Sequence, residues 1–311
     1  MKRFIVKVLL ISTSVFIPLI IADIIKTKDY RSREYYPFNT MSYIVDGHLD
    51  SDLWILGSSR AWVQYNPRIL DSILNVDSYV FGFNAQSLFL ELQYYKIARI
   101  YNPKPRFLIL DIFFSSLTME EAPISRYFFM PYVNNYKVRN IVKNNVILSP
   151  AYLFMPYYRY FTEKDNDRWY ENPAGYEYKG FEAKPFHWSG DDMNSLDTVH
   201  YKCELEAIEL LNDFLTECRR DRIRVILVHS PFYYEGFKKI HNHEQMMALF
   251  RDIANKHNVP FIDYTTSPIC IDTANFYNAM HLNAQGADLF STQLAHDLDS
   301  MGLITSNRRL Q

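Results

Sequence analysis

The chain opens with a run from Phe4 to Ile25 that is apolar except for Lys7, Asp23 and a few small hydroxyl residues. A helix of about 20 apolar residues crosses the hydrocarbon layer of a bilayer, so residues 1–25 predict a membrane helix. A cleaved signal peptide is the rival reading. Its apolar run is shorter and ends at an Ala-x-Ala-like site, whereas Ala22 here is followed by Asp23, Ile24 and Ile25, which favours an uncleaved signal-anchor. Basic residues flank both sides (Lys2, Arg3 and Lys7; Lys26, Lys28, Arg31 and Arg33), so the positive-inside rule leaves orientation open. The short amino-terminal tail favours a body outside the cytoplasm, at a periplasmic or extracellular face. Residues 26–43 read as a polar tether.

Beyond the tether, apolar periodicity alternates between two kinds. Residues 52–57, 78–82 and 106–111 are short apolar strands, and between them 67–74 and 88–100 carry apolar positions at helical spacing. Asn66 is placed to cap the first of these helices, with Pro67 at its first position. Strand, helix, strand at this spacing predicts parallel βαβ units with a buried sheet. From 113 to 200 the regularity breaks into a stretch rich in Tyr, Phe, Pro and Asn, with helical pieces at 134–145 and 149–160, which reads as an insertion. Regularity returns with a helix at 202–220, a strand at 224–228, a helix at 243–257, a strand at 259–263 and a closing helix at 284–301. The expected architecture is α/β, a three-layer sandwich with a mainly parallel sheet of about five strands over residues 44–305, interrupted at 113–200 and hung on one membrane helix.

Composition narrows the function classes. The 311 residues are 48% hydrophobic and 22% charged, which excludes a disordered or collagen-like polymer. With 33 basic against 35 acidic side chains the net charge is −2, and no basic run supplies the footprint of a nucleic-acid binder. Aromatic residues make up 16%, and large rings fill cores or line grooves for sugar-like ligands. Cys203, Cys218 and Cys270 have no metal-ligand spacing and predict buried thiols rather than a disulfide framework. No Gly-rich phosphate loop follows any strand, so no nucleotide cofactor is implied, and His241 with His243 and Glu244 reads as a solvated turn rather than a metal site.

In open parallel sheets ligands bind at the carboxyl ends of the strands. After the first strand stands Gly57-Ser58-Ser59-Arg60, a turn that exposes a serine hydroxyl at a helix start. Between the last strand and the last helix stands Asn278-Ala279-Met280-His281, which puts an imidazole on the same face. A polar residue three positions earlier can orient it, as a Ser/His pair requires. Arg60 is placed to meet an anionic substrate group, or to anchor its helix through a salt bridge. His229, at a strand end, either joins the site or caps it.

These residues resemble the SGNH (GDSL-type) hydrolases, over about residues 50–112 and 200–300. Gly57-Ser58-Ser59 looks like the first block, which makes Ser59 the nucleophile. Gly82 looks like the second-block glycine that donates an oxyanion N–H, and Asn278 to His281 looks like the closing Asp-x-x-His. Ser58 in place of the block's aspartate resembles a membrane-anchored Gly-Ser-Ser subgroup that modifies bacterial cell-envelope polymers and exopolysaccharides. The third block is missing: Asp111-Ile112-Phe113 follows the third strand, so Asn84 is the candidate for the lost oxyanion donor beside the N–H groups of Ser59 and Gly82. Asn278 stands where the triad acid belongs. An amide accepts the imidazole N–H but does not stabilise an imidazolium by charge, and Asp272 or Asp263 are the alternative carboxylates. The resemblance implies a membrane-anchored serine esterase or O-acyltransferase acting on an acylated carbohydrate or cell-envelope polymer. The rival is a non-catalytic accessory protein that binds a glycan or a membrane-bound acyltransferase.

Overall fold

The computed structural model describes residues 1–118, 123–145, 149–162, 177–191, 193 and 197–305. The chain divides into two compact units, Met1–Gly47 with Pro123–Asn172, and His48–Ala122 with Pro173–Gln311.

The second unit is built on five strands: β1 (Leu53–Gly57), β2 (Ser78–Gly82), β3 (Phe107–Asp111), β4 (Arg224–His229) and β5 (Phe261–Asp263). They pair in parallel in the order β2-β1-β3-β4-β5. The first three are buried at every position, which explains why they read as continuous apolar runs rather than alternating ones. Leu53 and Ile55 join Val80, Phe107, Ile109, Ile226 and Val228 in one core cluster with Leu70 and Leu74 of helix Pro67–Leu74 and with Phe290 and Leu294 of helix Ala284–Ser300. Trp54 packs against Phe81 at 5.1 Å and against Tyr95 of helix Leu88–Tyr101 at 6.1 Å. Tyr95 in turn meets Phe214 of helix Leu205–Arg220 at 5.0 Å. Alternate strand residues thus feed two helical layers, and each fully buried Leu, Ile or Phe contributes about 1.5–3 kcal/mol.

Local signals set the boundaries. The Asn66 side chain accepts from the Arg68 N–H at 3.0 Å, with Pro67 in the first turn, and the helix stops at Asn75 in the left-handed region. Strand β5 begins at Phe261 rather than at 259; Pro260 lacks an N–H, and its carbonyl accepts from Leu227. The helical piece expected at 149–160 is two, Pro150–Phe154 and Tyr158–Thr162, because Met155 precedes Pro156 and takes extended backbone. Cys218 and Cys270 are buried and Cys203 half-buried, all as free thiols.

The first unit departs most from the sequence expectation. Its first helix, Lys2–Arg31, runs through the first third of the segment read as a tether, and a second helix, Phe38–Val45, buries Phe38, Met41 and Ile44. Tyr30 lies 4.9 Å from Phe38 and 5.5 Å from Tyr160, and Phe38 lies 5.1 Å from Tyr127. These rings form a core, which is where part of the aromatic surplus of 113–200 goes; residues 123–172 belong to this unit, and 113–122 and 173–200 to the α/β unit. Among the described residues, Lys2–Arg31 is the one helix long and apolar enough to cross a membrane, and none of its most apolar window is buried. The cover begins at Asp23. Its carboxylate accepts from Asn134 at 2.8 Å, from the Tyr157 N–H at 2.9 Å and from Arg159, whose guanidinium is 2% exposed.

Two substitutions test this scaffold. Asp23→Ala strands a buried guanidinium and is expected to cost about 3–5 kcal/mol. Thermal melting of the full chain in detergent checks it, and an unchanged midpoint contradicts the assignment. Gly82→Ala places a Cβ 2.0 Å from the Trp62 backbone nitrogen, so helix and strand must separate. The expected loss is roughly 1–3 kcal/mol or more in the same measurement.

Candidate active site

Strand β1 ends at Gly57, Ser58 is extended, and Ser59 opens a short helix, Ser59–Gln64, lying on the carboxyl edge of the sheet. Two glycines permit that approach. A Cβ on Gly57 would sit 2.8 Å from the Ala61 Cβ, and one on Gly82 would collide with the Trp62 backbone. The opposite half of the site is a hairpin of Phe276–Asn278 and His281–Leu282. Asn283 fixes it to the closing helix by accepting from the Gly286 N–H at 3.0 Å and donating to the Ala274 carbonyl at 2.7 Å. Gln64 ties the halves together: its amide nitrogen donates to the Ser230 hydroxyl at 2.7 Å and its amide oxygen accepts from the Leu282 N–H at 3.3 Å.

Ser59 and His281, 222 residues apart, meet here. The Ser59 Oγ lies 2.7 Å from His281 Nε2, and His281 Nδ1 lies 2.9 Å from Asn278 Oδ1. The same Asn278 oxygen accepts from the Met280 N–H at 3.0 Å. A backbone N–H is always a donor, so the amide must present its oxygen to this side, and His281 must donate from Nδ1. That leaves Nε2 bare to accept the Ser59 proton. The orienting residue therefore holds the tautomer that a general base needs, although it is an amide.

Charge is the other half of the matter. His281 is 8% exposed, and burial, then Arg60, then Lys184 push its pKa down to about 3. Among the described residues no carboxylate bonds it. Asp263 bonds Thr265 and faces Arg251, and Asp272 accepts from the Ala274 N–H. Tyr277 stacks on the imidazole at 5.3 Å.

Arg60 does not face outward to an anionic substrate. It is 2% exposed; Nη2 donates to the Ser230 carbonyl and, at 2.7 Å, to the Ser230 hydroxyl, and Nε lies 3.5 Å from Asp111 Oδ2. The guanidinium stacks over Phe113 at 4.6 Å and Phe232 at 5.9 Å. Asp111 Oδ1 also accepts from Tyr65 at 2.7 Å. Arg60 is thus the anchor of the Ser59 helix, the other of the two roles open to it, and a substrate anion finds no access to it. Asp111, Ser230 and Gln64 escaped notice as site residues. Asp111 closes β3 and Ser230 follows β4, and that place at a strand end is the one signal that pointed to them.

The remaining candidates separate. Gly82 lies opposite Gly57 in the β1–β2 register; since the Phe83 N–H bonds the Gly57 carbonyl, the Gly82 N–H alternates to the side away from β1. Asn84 is half-buried just past β2, and its carbonyl accepts from Gln86 at 2.8 Å. His229 is fully buried against Phe113 and Phe114, neither ring nitrogen has a partner among the described residues, and burial and Arg60 hold its pKa well below the usual range. His243 Nδ1 bonds the Ile240 carbonyl at 2.7 Å. Among the described residues no group of three His, Cys, Asp or Glu is placed to hold a metal ion.

No family model and no curated protein matches the chain. Solved structures similar to it include an acetyl xylan esterase, at 10% identity and TM-score 0.39 over 80% of this chain and 98% of that one. A Bacteroides fragilis protein described as an acylhydrolase aligns at 12% identity and TM-score 0.40, over 80% and 86%. A family two carbohydrate esterase from Clostridium thermocellum, solved with cellohexaose, aligns at 8% identity and TM-score 0.38 over 81% of this chain and 64% of that one. At these scores none of them decides the chemistry of this site, which rests on the Ser59–His281 pair itself.

Proposed function

We propose that the protein is a membrane-anchored serine esterase or O-acyltransferase of the SGNH type, acting outside the cytoplasm on an acylated glycan. One observation carries the reading: the Ser59 hydroxyl at 2.7 Å from an imidazole nitrogen whose ring is held in the acceptor tautomer. Ser59 Oγ attacks the ester carbonyl carbon while His281 Nε2 takes its proton. That proton leaves with the sugar alcohol as the C–O bond of the ester breaks. Water or a second sugar hydroxyl then gives its proton to His281, attacks the acyl carbon and frees Ser59. The N–H groups of Ser59 and Gly82, with the Asn84 side chain, are the proposed oxyanion donors. The glycan follows from the resemblance of Gly57-Ser58-Ser59 and the Asn278–His281 block. An uncleaved anchor is supported by Asp23, since cleavage after Ala22 would cut the helix inside the turn that presents this buried carboxylate.

One observation favours the accessory reading. The imidazolium formed during acyl transfer has Arg60 and Lys184 nearby and an amide, not a carboxylate, behind it.

Labelling of the full chain with a fluorophosphonate probe separates the two. Esterase chemistry requires labelling that is lost in both Ser59→Ala and His281→Ala. Above a pKa of about 3 the imidazole is neutral, so this labelling is expected to stay level from pH 5 to 9. Asn278→Asp puts an anion against Nδ1, raises the imidazole pKa by about 1–3 units and is expected to speed labelling by about tenfold or more. A folded wild type that stays unlabelled while Asn278→Asp reacts establishes the accessory protein instead.

A further inference from the structure

A cavity of about 380 Å³ opens beside the catalytic hairpin, against the face of Asn278. Phe113, Tyr201, Phe232, Val199 and Ile240 supply its walls, and Ala279 and Met280, the connection of the hairpin, close it on the side of the site. Two of these rings are held from behind, because the buried Arg60 guanidinium stacks on both Phe113 and Phe232. The pocket is therefore preformed. Its charged groups are one of each sign, Asp197 and Lys239, so it does not select an ion by net charge.

Asn278 adds the polar feature. Its Oδ1 is occupied by the N–H groups of Met280 and His281. Its Nδ2 hydrogens have no partner among the described residues, and the residue lines the cavity. Mostly apolar walls that carry the Asn278 amide donor, with the Tyr201 hydroxyl and the Lys239 ammonium also in the lining, favour an apolar chain or ring that carries an acceptor oxygen, and the volume lies within the range of small-ligand pockets, about 300–1,000 Å³. It far exceeds the three heavy atoms of an acetyl group.

We propose that this cavity is a substrate subsite for an apolar chain or ring bearing a carbonyl or ether oxygen, with Asn278 Nδ2 donating to that oxygen. The assignment of this group to the substrate rests on the esterase reading of Ser59; the binding itself does not. The apolar group comes from either the acyl or the alcohol side of the ester. Asn278 then has two tasks. Its oxygen orients His281 and its nitrogen reads the ligand, and an aspartate at this position could perform only the first.

The test is calorimetry on the full chain in lipid nanodiscs, with empty discs as control, using hexanamide and acetamide, which are not esters and report binding without turnover. Burial of a methylene is worth about fourfold in affinity. Hexanamide is expected to bind wild type and Ser59→Ala alike, and more than tenfold tighter than acetamide. Val199 is 40% exposed, so Val199→Trp fills the cavity without disturbing the core; it is expected to weaken hexanamide at least tenfold, and Asn278→Asp to weaken it by loss of the donor. Absent binding to wild type, or equal binding by Val199→Trp, overturns the subsite. Hydrolysis of a hexanoyl ester of glycerol against hexyl acetate identifies the source, by which of the two Val199→Trp slows. If neither ester turns over while hexanamide still binds, the esterase reading fails and the cavity stands. If both turn over and hexanamide does not bind, the cavity fails alone.

Discussion

The α/β unit depends on one buried cation. The Arg60 guanidinium is bonded to Ser230 after β4, lies 3.5 Å from Asp111 at the end of β3, and is stacked on Phe113 and Phe232. A charge taken from water is costly, and only this set of partners offsets the cost. Because Arg60 is the residue after Ser59, those partners also fix where the Ser59 hydroxyl can stand. Gln64 bonds the same Ser230 and accepts from the Leu282 N–H, so this pair at a strand end links both halves of the candidate site. Removal of Arg60 would strand Asp111 and release the helix.

The same cation disfavours the chemistry that its position makes possible. His281 is neutral at rest because burial and Arg60 oppose its charging. A neutral imidazole is the correct resting form of a general base, but acyl transfer asks it to carry a proton in the transition state. Hydrolytic triads answer with a carboxylate, and replacing that carboxylate by an amide in another system costs about 10⁴ in rate. Part of such a loss comes from the wrong tautomer. Here the Met280 N–H forces the Asn278 oxygen toward the ring and removes that part. What remains is the missing charge, so the geometry favours proton acceptance by His281 while burial and Arg60 oppose its charging.

Most of the sheet was legible because its strands are buried on both faces and their apolar runs leave little choice of register. Helix Pro67–Leu74 was legible to the residue from Asn66 and Pro67, and the Ser59, Asn278 and His281 constellation from its order along the chain. Arg60 was not. Its decisive partner lies 170 residues away, and nothing local distinguishes an arginine that will be buried from one that will face a ligand. The tether failed for a related reason. Residues 26–43 look polar, yet Tyr30, Tyr36, Phe38 and Met41 are packed within their own unit, where tertiary burial decides the outcome.

Asp23 carries that point into the first helix. A carboxylate at the end of an apolar run is expensive in hydrocarbon, and such residues face protein partners or water rather than lipid. Asp23 has three partners in its own unit, and the residues before it are exposed apolar side chains from Phe4 onward. The helix therefore changes its surroundings within one turn, from side chains that no protein covers to side chains locked by an ion pair. Residues 2–22 carry mostly exposed side chains, whereas from Asp23 one face of the helix is held in the folded unit and Ile24 and Ile25 stay exposed. A single aspartate, read in the sequence as an interruption of the apolar run, marks where the folded unit takes hold of this helix.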